Sequence, residues 1–230
     1  MKKTIVAFAA HPDDLEFSST GMLYKFKREG YRLIYVIVTN GENGFKLKKE
    51  VKRKERIQIR QKEQLEVGRK LGVKDIIFLD YRDGRLVYDE KLRQRLVKII
   101  KKYKPQIVFA FDPANREFDN INLFHHDHRI VGEAVFDAVF AAKNKFMYAG
   151  ESHKVAQIYF YGTYKPTHFE DITDILDFKF ELLACHRSQF PDFSVIKDFV
   201  RDMVLKKTED GRISEYFRVL DVQPLTDKKK

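Results

Sequence analysis

Two clusters of side chains in this 230-residue chain could do chemistry. The first is His11-Pro12-Asp13-Asp14, which follows directly on the apolar run Ile5-Val6-Ala7-Phe8-Ala9. Adjacent carboxylates repel, so a cation is their simplest partner. His11 and Asp14, at i and i+3, can close on one metal while Asp13 stays free to move a proton. The alternative is a polar turn in which an Asp caps the next helix. The second cluster is His125-His126-Asp127-His128. Three imidazoles and a carboxylate in four consecutive residues are costly to place anywhere except in solvent or on a metal. Two imidazoles and one carboxylate form the ligand set of hydrolytic zinc sites, with the fourth position left to water. Together the clusters favour a metal site over two coincident polar loops.

Distant residues need elements to bring them together. The short apolar runs 5–9, 31–38, 75–79 and 107–111 read as strands of a buried parallel sheet. Between them, amphipathic patterns predict helices over 16–29, 48–71 and 90–103, the first ended by Gly30 and the last stopped at Lys104-Pro105. A fourth helix is predicted over 130–142. This alternation predicts an α/β chain with a Rossmann-like three-layer fold, a mostly parallel sheet and an active site at the carboxyl ends of its strands. No G-x-G-x-x-G follows any strand, so dinucleotide binding has no support. Beyond residue 147 the pattern loosens: a strand over 155–161, helices over 171–184 and 193–205, and a late strand over 216–220. With no linker or repeat, residues 1–230 read as one domain, less regular over 155–230, with Asp227-Lys228-Lys229-Lys230 frayed.

The formal charge is +10, from 44 basic and 34 acidic residues. Much of the excess lies between Lys46 and Arg60 and in the tail. A nucleic-acid groove interleaves aromatic with basic residues, and this run lacks that pattern. A solvated helix face with pairs such as Glu66/Lys70 is the favoured reading. No run approaches the roughly 18–20 apolar residues of a membrane span. The single Cys185 excludes an internal disulfide and suits a reducing compartment, so a cytoplasmic setting is expected. Two rival functions are a metal-dependent phosphoesterase, which usually holds two ions about 3.5–4 Å apart, and a basic nucleic-acid-binding α/β domain without catalysis.

The paired motifs HPDD and H-x-D-H resemble those of the zinc-dependent N-deacetylases typified by LmbE-like and PIG-L proteins. Other fragments fit in the same order: Thr39-x-Gly41-Glu42-x-Gly44, Arg60-x-x-Glu63 before Leu71-Gly72-Val73, Tyr81-x-Asp83-Gly84, and His186-x-Ser188-Gln189. The resemblance covers residues 4 to about 190. It implies one zinc ion held by His11, Asp14 and His128, with Asp13 as general base and His125 polarising the amide carbonyl. It also implies that Asp127 supports an imidazole from behind, a role the chemistry predicts independently. Arg60 and Asp83 resemble sugar-contacting positions. His186 resembles a histidine near the site, in some relatives offered by a neighbouring subunit, which leaves homo-oligomerisation open. Two departures stand out: His126 replaces the usual Pro, and Ser18-Ser19-Thr20-Gly21 replaces a glycine-rich helical turn. The stretch from Ile59 to Asp83 is similar to archaeal diacetylchitobiose deacetylases. An N-acetylglucosamine mono- or disaccharide is the implied substrate, ahead of a membrane-bound glycolipid. The Lys- and Glu-rich composition, poor in Cys and Gln, points toward a thermophile.

Overall fold

Six consecutive buried residues, Thr4–Ala9, form β1 inside an eight-stranded sheet. The structure is a computed structural model and describes residues 3–47, 50–118 and 124–222. A strand paired on both edges and covered on both faces must be apolar throughout, so β1 shows no alternation. β2 (Arg32–Thr39) pairs with it in parallel, placing Val6 beside Ile34 and Phe8 beside Val36. β3 (Asp75–Tyr81) adds in parallel to β2. On the other edge of β1 lies β4 (Ile107–Phe111), with Val6 beside Val108, and then β5 (Gln157–Tyr161), again parallel.

The order β3-β2-β1-β4-β5 changes its direction of growth between β1 and β4. Such a switch point leaves a crevice beyond the carboxyl ends of the two strands, where open α/β sheets bind ligands. His11 follows β1 and the second cluster follows β4. Topology alone brings the clusters to one place.

Helices cover both faces. α1 (Asp14–Ser18), α2 (Thr20–Arg28) and α3 (Arg53–Leu71) all pack against α6 (Leu176–Leu183). On the other face α4 (Glu90–Tyr103) packs against α5 (His126–Ala142), and both touch β1. The fold class is the expected one. Among the described residues no helix is long and apolar enough to cross a membrane.

The differences from expectation have local causes. The helix expected over 16–29 is split at Ser19, whose φ is −139°. Ser18 Oγ donates to the Asp14 carbonyl and Thr20 Oγ1 to that of Leu15, so hydroxyls compete with the backbone ladder. The charged helix starts at Arg53 rather than 48, because Arg53 and Arg56 turn back to bind Glu42 and the Val51 carbonyl. α5 starts four residues before the expected 130, for a reason given below. The helix expected over 171–184 is instead β6 (His168–Asp171), a 3-10 turn and then α6; Asp171 accepts from the Thr173 amide and hydroxyl, an Asx turn. The helix expected over 193–205 is α7 (Phe193–Phe199) followed by a π-helical turn over Val200–Val204. β7 (Lys206–Lys207) and β8 (Ile213–Asp221) follow, and β8 closes the sheet antiparallel to β5 with β6 beyond it. Residues 48 and 49 of the basic run, and the tail expected to fray, lie outside the described residues.

Candidate active site

Each reactive side chain is set by the end of an element. After β1 the chain turns through Pro12 into Asp13, which adopts φ +104° and ψ −23°. A side chain at positive φ costs about 1–3 kcal/mol, and such residues cluster at functional sites. Asp14 then opens α1 and receives the His11 amide at 2.7 Å. Beyond β4, His125 stands just ahead of α5, with φ −46° and ψ 140° placing it outside the helix. The His125 ring itself caps α5, its Nδ1 accepting from the Asp127 amide at 3.2 Å. That cap is why α5 begins at His126. It also fixes the tautomer: with Nδ1 accepting, the neutral ring carries its proton on Nε2.

The first turn of α5 brings His128 across to His11. His11 Nδ1 lies 3.2 Å from His128 Nε2, His128 Nε2 lies 3.2 Å from Asp14 Oδ1, and His11 Nδ1 lies 3.7 Å from Asp14 Oδ2. A tetrahedral ion with bonds of about 2.0–2.1 Å keeps its ligand atoms about 3.3–3.4 Å apart. The spacings lie near that value, with Asp14 turning Oδ1 to His128 and Oδ2 to His11, so the carboxylate and the two imidazoles would hold zinc between them. The ring of His128 is held by stacking on Phe111, with centroids 4.0 Å apart.

Two other donor trios share His11: its ring nitrogens with those of His125 and His128, and with carboxylate oxygens of Asp83 and Asp127, each group within 4.8 Å. The second trio lies on the other side of the ring. His11 Nε2 sits 3.2 Å from Asp83 Oδ1 and 3.3 Å from Asp127 Oδ2. Both carboxylates are already committed. Asp127, fully buried, accepts the Gly84 and Leu86 amides at 2.7 and 3.2 Å, and Asp83 accepts the Asn43 amide at 2.9 Å. They act on His11 from behind, turning its Nδ1 to the opposite side. Asp83, which resembled a sugar-contacting position, thus meets an imidazole while also bordering the cleft.

Charge follows this arrangement. Burial works against a proton on His11, but the carboxylates of Asp127, Asp14 and Asp83 outweigh it and raise its pKa well above the ordinary value. Burial likewise opposes the Asp14 charge, and His128 and His11 override it, holding that carboxyl well below the usual range. Asp13 behaves oppositely: burial, aided by the neighbouring Asp14 charge, pushes it up to about 6 despite Arg60. His125 is lowered by burial and by the charges of His11 and His128. Adjacent aspartates thus take opposite protonation behaviour.

The remaining sequence candidates separate. Arg60 is fully buried; its Nη2 donates to the Pro12 carbonyl at 2.5 Å and lies 3.7 Å from Asp13 Oδ2. Its Nε and Nη1 have no hydrogen-bond partner among the described residues, and the side chain borders the cleft. A Cβ on Gly41, at φ +62°, would meet Pro12 Cδ at 2.7 Å and the guanidinium at 3.3 Å, so glycine lets this arginine in. His186 is fully buried behind the site, 3.2 Å from Glu16 Oε2, and does not border the cleft. His126, the extra imidazole, binds the Leu86 carbonyl at 2.7 Å and anchors α5.

Other motif fragments meet as well. Glu63 accepts from both the amide and the hydroxyl of Ser188 at 2.7 Å, tying α3 to the His186-x-Ser188-Gln189 segment. The reactive groups form one wall of a cleft of about 660 Å³. Phe17, Phe190, Val195, Ile196, Phe199 and Val204 form an apolar wall that sequence reading missed. No local pattern marks it, since it joins residues from α1, α7 and the turns around them.

The model of the family described as PIG-L, GlcNAc-PI de-N-acetylase, matches residues 6–139. A diacetylchitobiose deacetylase of Thermococcus kodakarensis is 33% identical over 196 residues, covering 83% of this chain and 71% of that protein. A probable N-acetyl-alpha-D-glucosaminyl L-malate deacetylase 2 of Bacillus anthracis is 28% identical over 190 residues, covering 78% of each. Among solved structures, the N,N'-diacetylchitobiose deacetylase of Pyrococcus horikoshii superposes with a TM-score of 0.87 at 31% identity, covering 98% of this chain and 88% of that one. Motifs, topology and kinship converge: this chain belongs to the PIG-L/LmbE family of deacetylases.

Proposed function

We propose that the chain is a zinc-dependent N-deacetylase that removes acetyl groups from N-acetylglucosamine-type sugars, a mono- or disaccharide first among them. The observation that carries this reading is the meeting of His11 Nδ1 and His128 Nε2, 3.2 Å apart, with the Asp14 carboxylate, whose Oδ1 lies 3.2 Å from His128 and Oδ2 3.7 Å from His11, at the sheet's switch point. These three residues would hold the ion. Bound there, zinc supplies Lewis acidity that brings the pKa of water from 15.7 to about 7.

The protein's own groups then divide the work. Asp13 borders the cleft, and its Oδ2 is buried without a hydrogen-bond partner among the described residues. A carboxyl raised to about 6 is matched to taking a proton from water near neutral pH and returning it to the leaving amine. His125 presents Nε2–H and stays neutral at pH 7, so it can donate to the amide oxygen as negative charge builds there. Asp127 and Asp83 hold the His11 ring. Arg60, bordering the cleft 3.7 Å from Asp13 Oδ2, is the sugar contact that the family resemblance implies. The reading extends to one cytoplasmic domain, supported by the sheet that runs from residue 4 to 221 and by the lone, unpaired Cys185.

The test is free-amine release from N-acetylglucosamine, diacetylchitobiose and related N-acetylated sugars. Release that chelation stops and zinc restores supports the reading. No release from any member of the panel, by protein carrying zinc, would overturn it.

A further inference from the structure

A chain of buried side chains reaches the Asp13 backbone from behind. The Asp13 amide donates to Gln64 Oε1 at 3.2 Å. Gln64 Nε2 faces both oxygens of Glu16 at 3.4 Å. Glu16 Oε2 lies 3.2 Å from His186 Nε2. Gln64, Glu16 and His186 are all fully buried. Because a carboxylate only accepts, Glu16 orients the Gln64 amide with its NH2 inward and its carbonyl toward Asp13. His186 donates to the same carboxylate. The far end is anchored too: Lys179 donates to the Glu16 carbonyl at 2.8 Å and pairs with Glu215, which accepts the Gly21 and Met22 amides of α2 at 2.9 Å.

We propose that Gln64, Glu16 and His186 are positioning residues that hold the Asp13 main chain at positive φ and so aim its carboxylate into the cleft. Resting on the deacetylase reading, this assigns the buried histidine of the His186-x-Ser188-Gln189 motif a role without substrate contact. It also gives Gln64, which directly follows Glu63 of the Arg60-x-x-Glu63 motif, a part in turnover. Asp13 follows Pro12 and precedes Asp14, so its backbone is confined on both sides by the site. Its carbonyl already accepts the Phe17 amide of α1 at 3.0 Å, which leaves the amide as the group that α3 grips through Gln64. A carboxylate on a backbone released from +104° swings away from the cleft, and displacement of about 1 Å in a reacting group costs about a hundredfold in rate.

The experiment uses the full chain carrying zinc. Gln64→Leu and His186→Phe are expected to lower kcat about tenfold to a hundredfold with KM and zinc content unchanged. In metal-free protein, Gln64→Leu is expected to speed hydrogen exchange at the Asp13 amide. His186→Gln, which can still donate to Glu16, is expected to recover most of the kcat lost in His186→Phe. Melting curves show whether each variant is folded, and His186→Gln is the readout if Gln64→Leu is not. Unchanged kcat in Gln64→Leu, or no recovery in His186→Gln relative to His186→Phe, would overturn the proposal. Absence of turnover in the unsubstituted protein is a different outcome: it sinks the deacetylase reading, while unaltered Asp13 amide exchange in Gln64→Leu sinks the brace.

Discussion

His11 Nδ1 and His128 Nε2, 117 residues apart in sequence, lie 3.2 Å apart at the carboxyl ends of adjacent parallel strands. Two imidazole nitrogens at that distance share one proton or one cation, and Asp14 beside them favours the cation. The His11 ring is aimed there by Asp127 on its opposite nitrogen.

Asp127→Asn is therefore expected to weaken zinc affinity about 10–100-fold, the usual cost of removing a carboxylate behind a metal-bound histidine. Competition against a chromogenic chelator measures it. Affinity equal to the unsubstituted protein would show that Asp127 serves α5 and the Gly84 turn alone.

Asp13→Asn is expected to keep zinc and to lower kcat about 10²–10⁴-fold. It also stabilises the metal-free protein at neutral pH. Burial raises the Asp13 pKa to about 6, above an unfolded value near 3.9. The stability linked to its protonation is fully present below about pH 4 and is lost as pH rises through about 6. Above that, the buried charge opposes folding, and Asn removes it. Thermal melts at pH 4 and pH 7.5 test this: the variant's advantage appears only at the higher pH. An equal shift at both would assign it to packing.

His125→Ala lowers kcat by about 10²–10³ with little change in KM, because its Nε2–H gains strength only as charge builds on the amide oxygen. His125 also caps α5, so the variant loses about 1 kcal/mol of stability. A rise in KM with kcat retained would move His125 from the reacting oxygen to ground-state sugar binding.

The strands, the two clusters and their meeting at the sheet's rim were legible because each rests on a local signal. Short apolar runs, turn residues at their ends and a right-handed parallel order leave few ways to arrange them. The placement of Asp83 behind His11 was not legible, since it depends on how the turn after β3 folds against α5. Gln64 reads in the sequence as one more polar residue on a charged helix. β6 and β7 escaped notice because HFED and a Lys-Lys pair carry no β pattern; β8 recruits them. His186 was placed near the site by motif, and its depth came from α6 packing across α1, α2 and α3.

Asp112 closes β4 and receives Arg218 from β8 and the Thr163 hydroxyl. Burial opposes its charge, but Arg218 and Thr163 outweigh that and lower its pKa. A depressed carboxyl contributes stability above its unfolded value near 3.9, lost as pH falls through the folded value. Asp112→Asn therefore melts earlier at pH 7, and the gap to the unsubstituted protein narrows toward pH 3. A gap independent of pH would contradict the ion pair as its source.

The shared ion is tested most directly by calorimetric zinc titration of metal-free protein, beside His128→Ala and with free-amine release followed on the same samples. One ion per chain, lost in His128→Ala and accompanied by the onset of release, is the predicted result. Two ions per chain, or tight binding that survives His128→Ala, would contradict it.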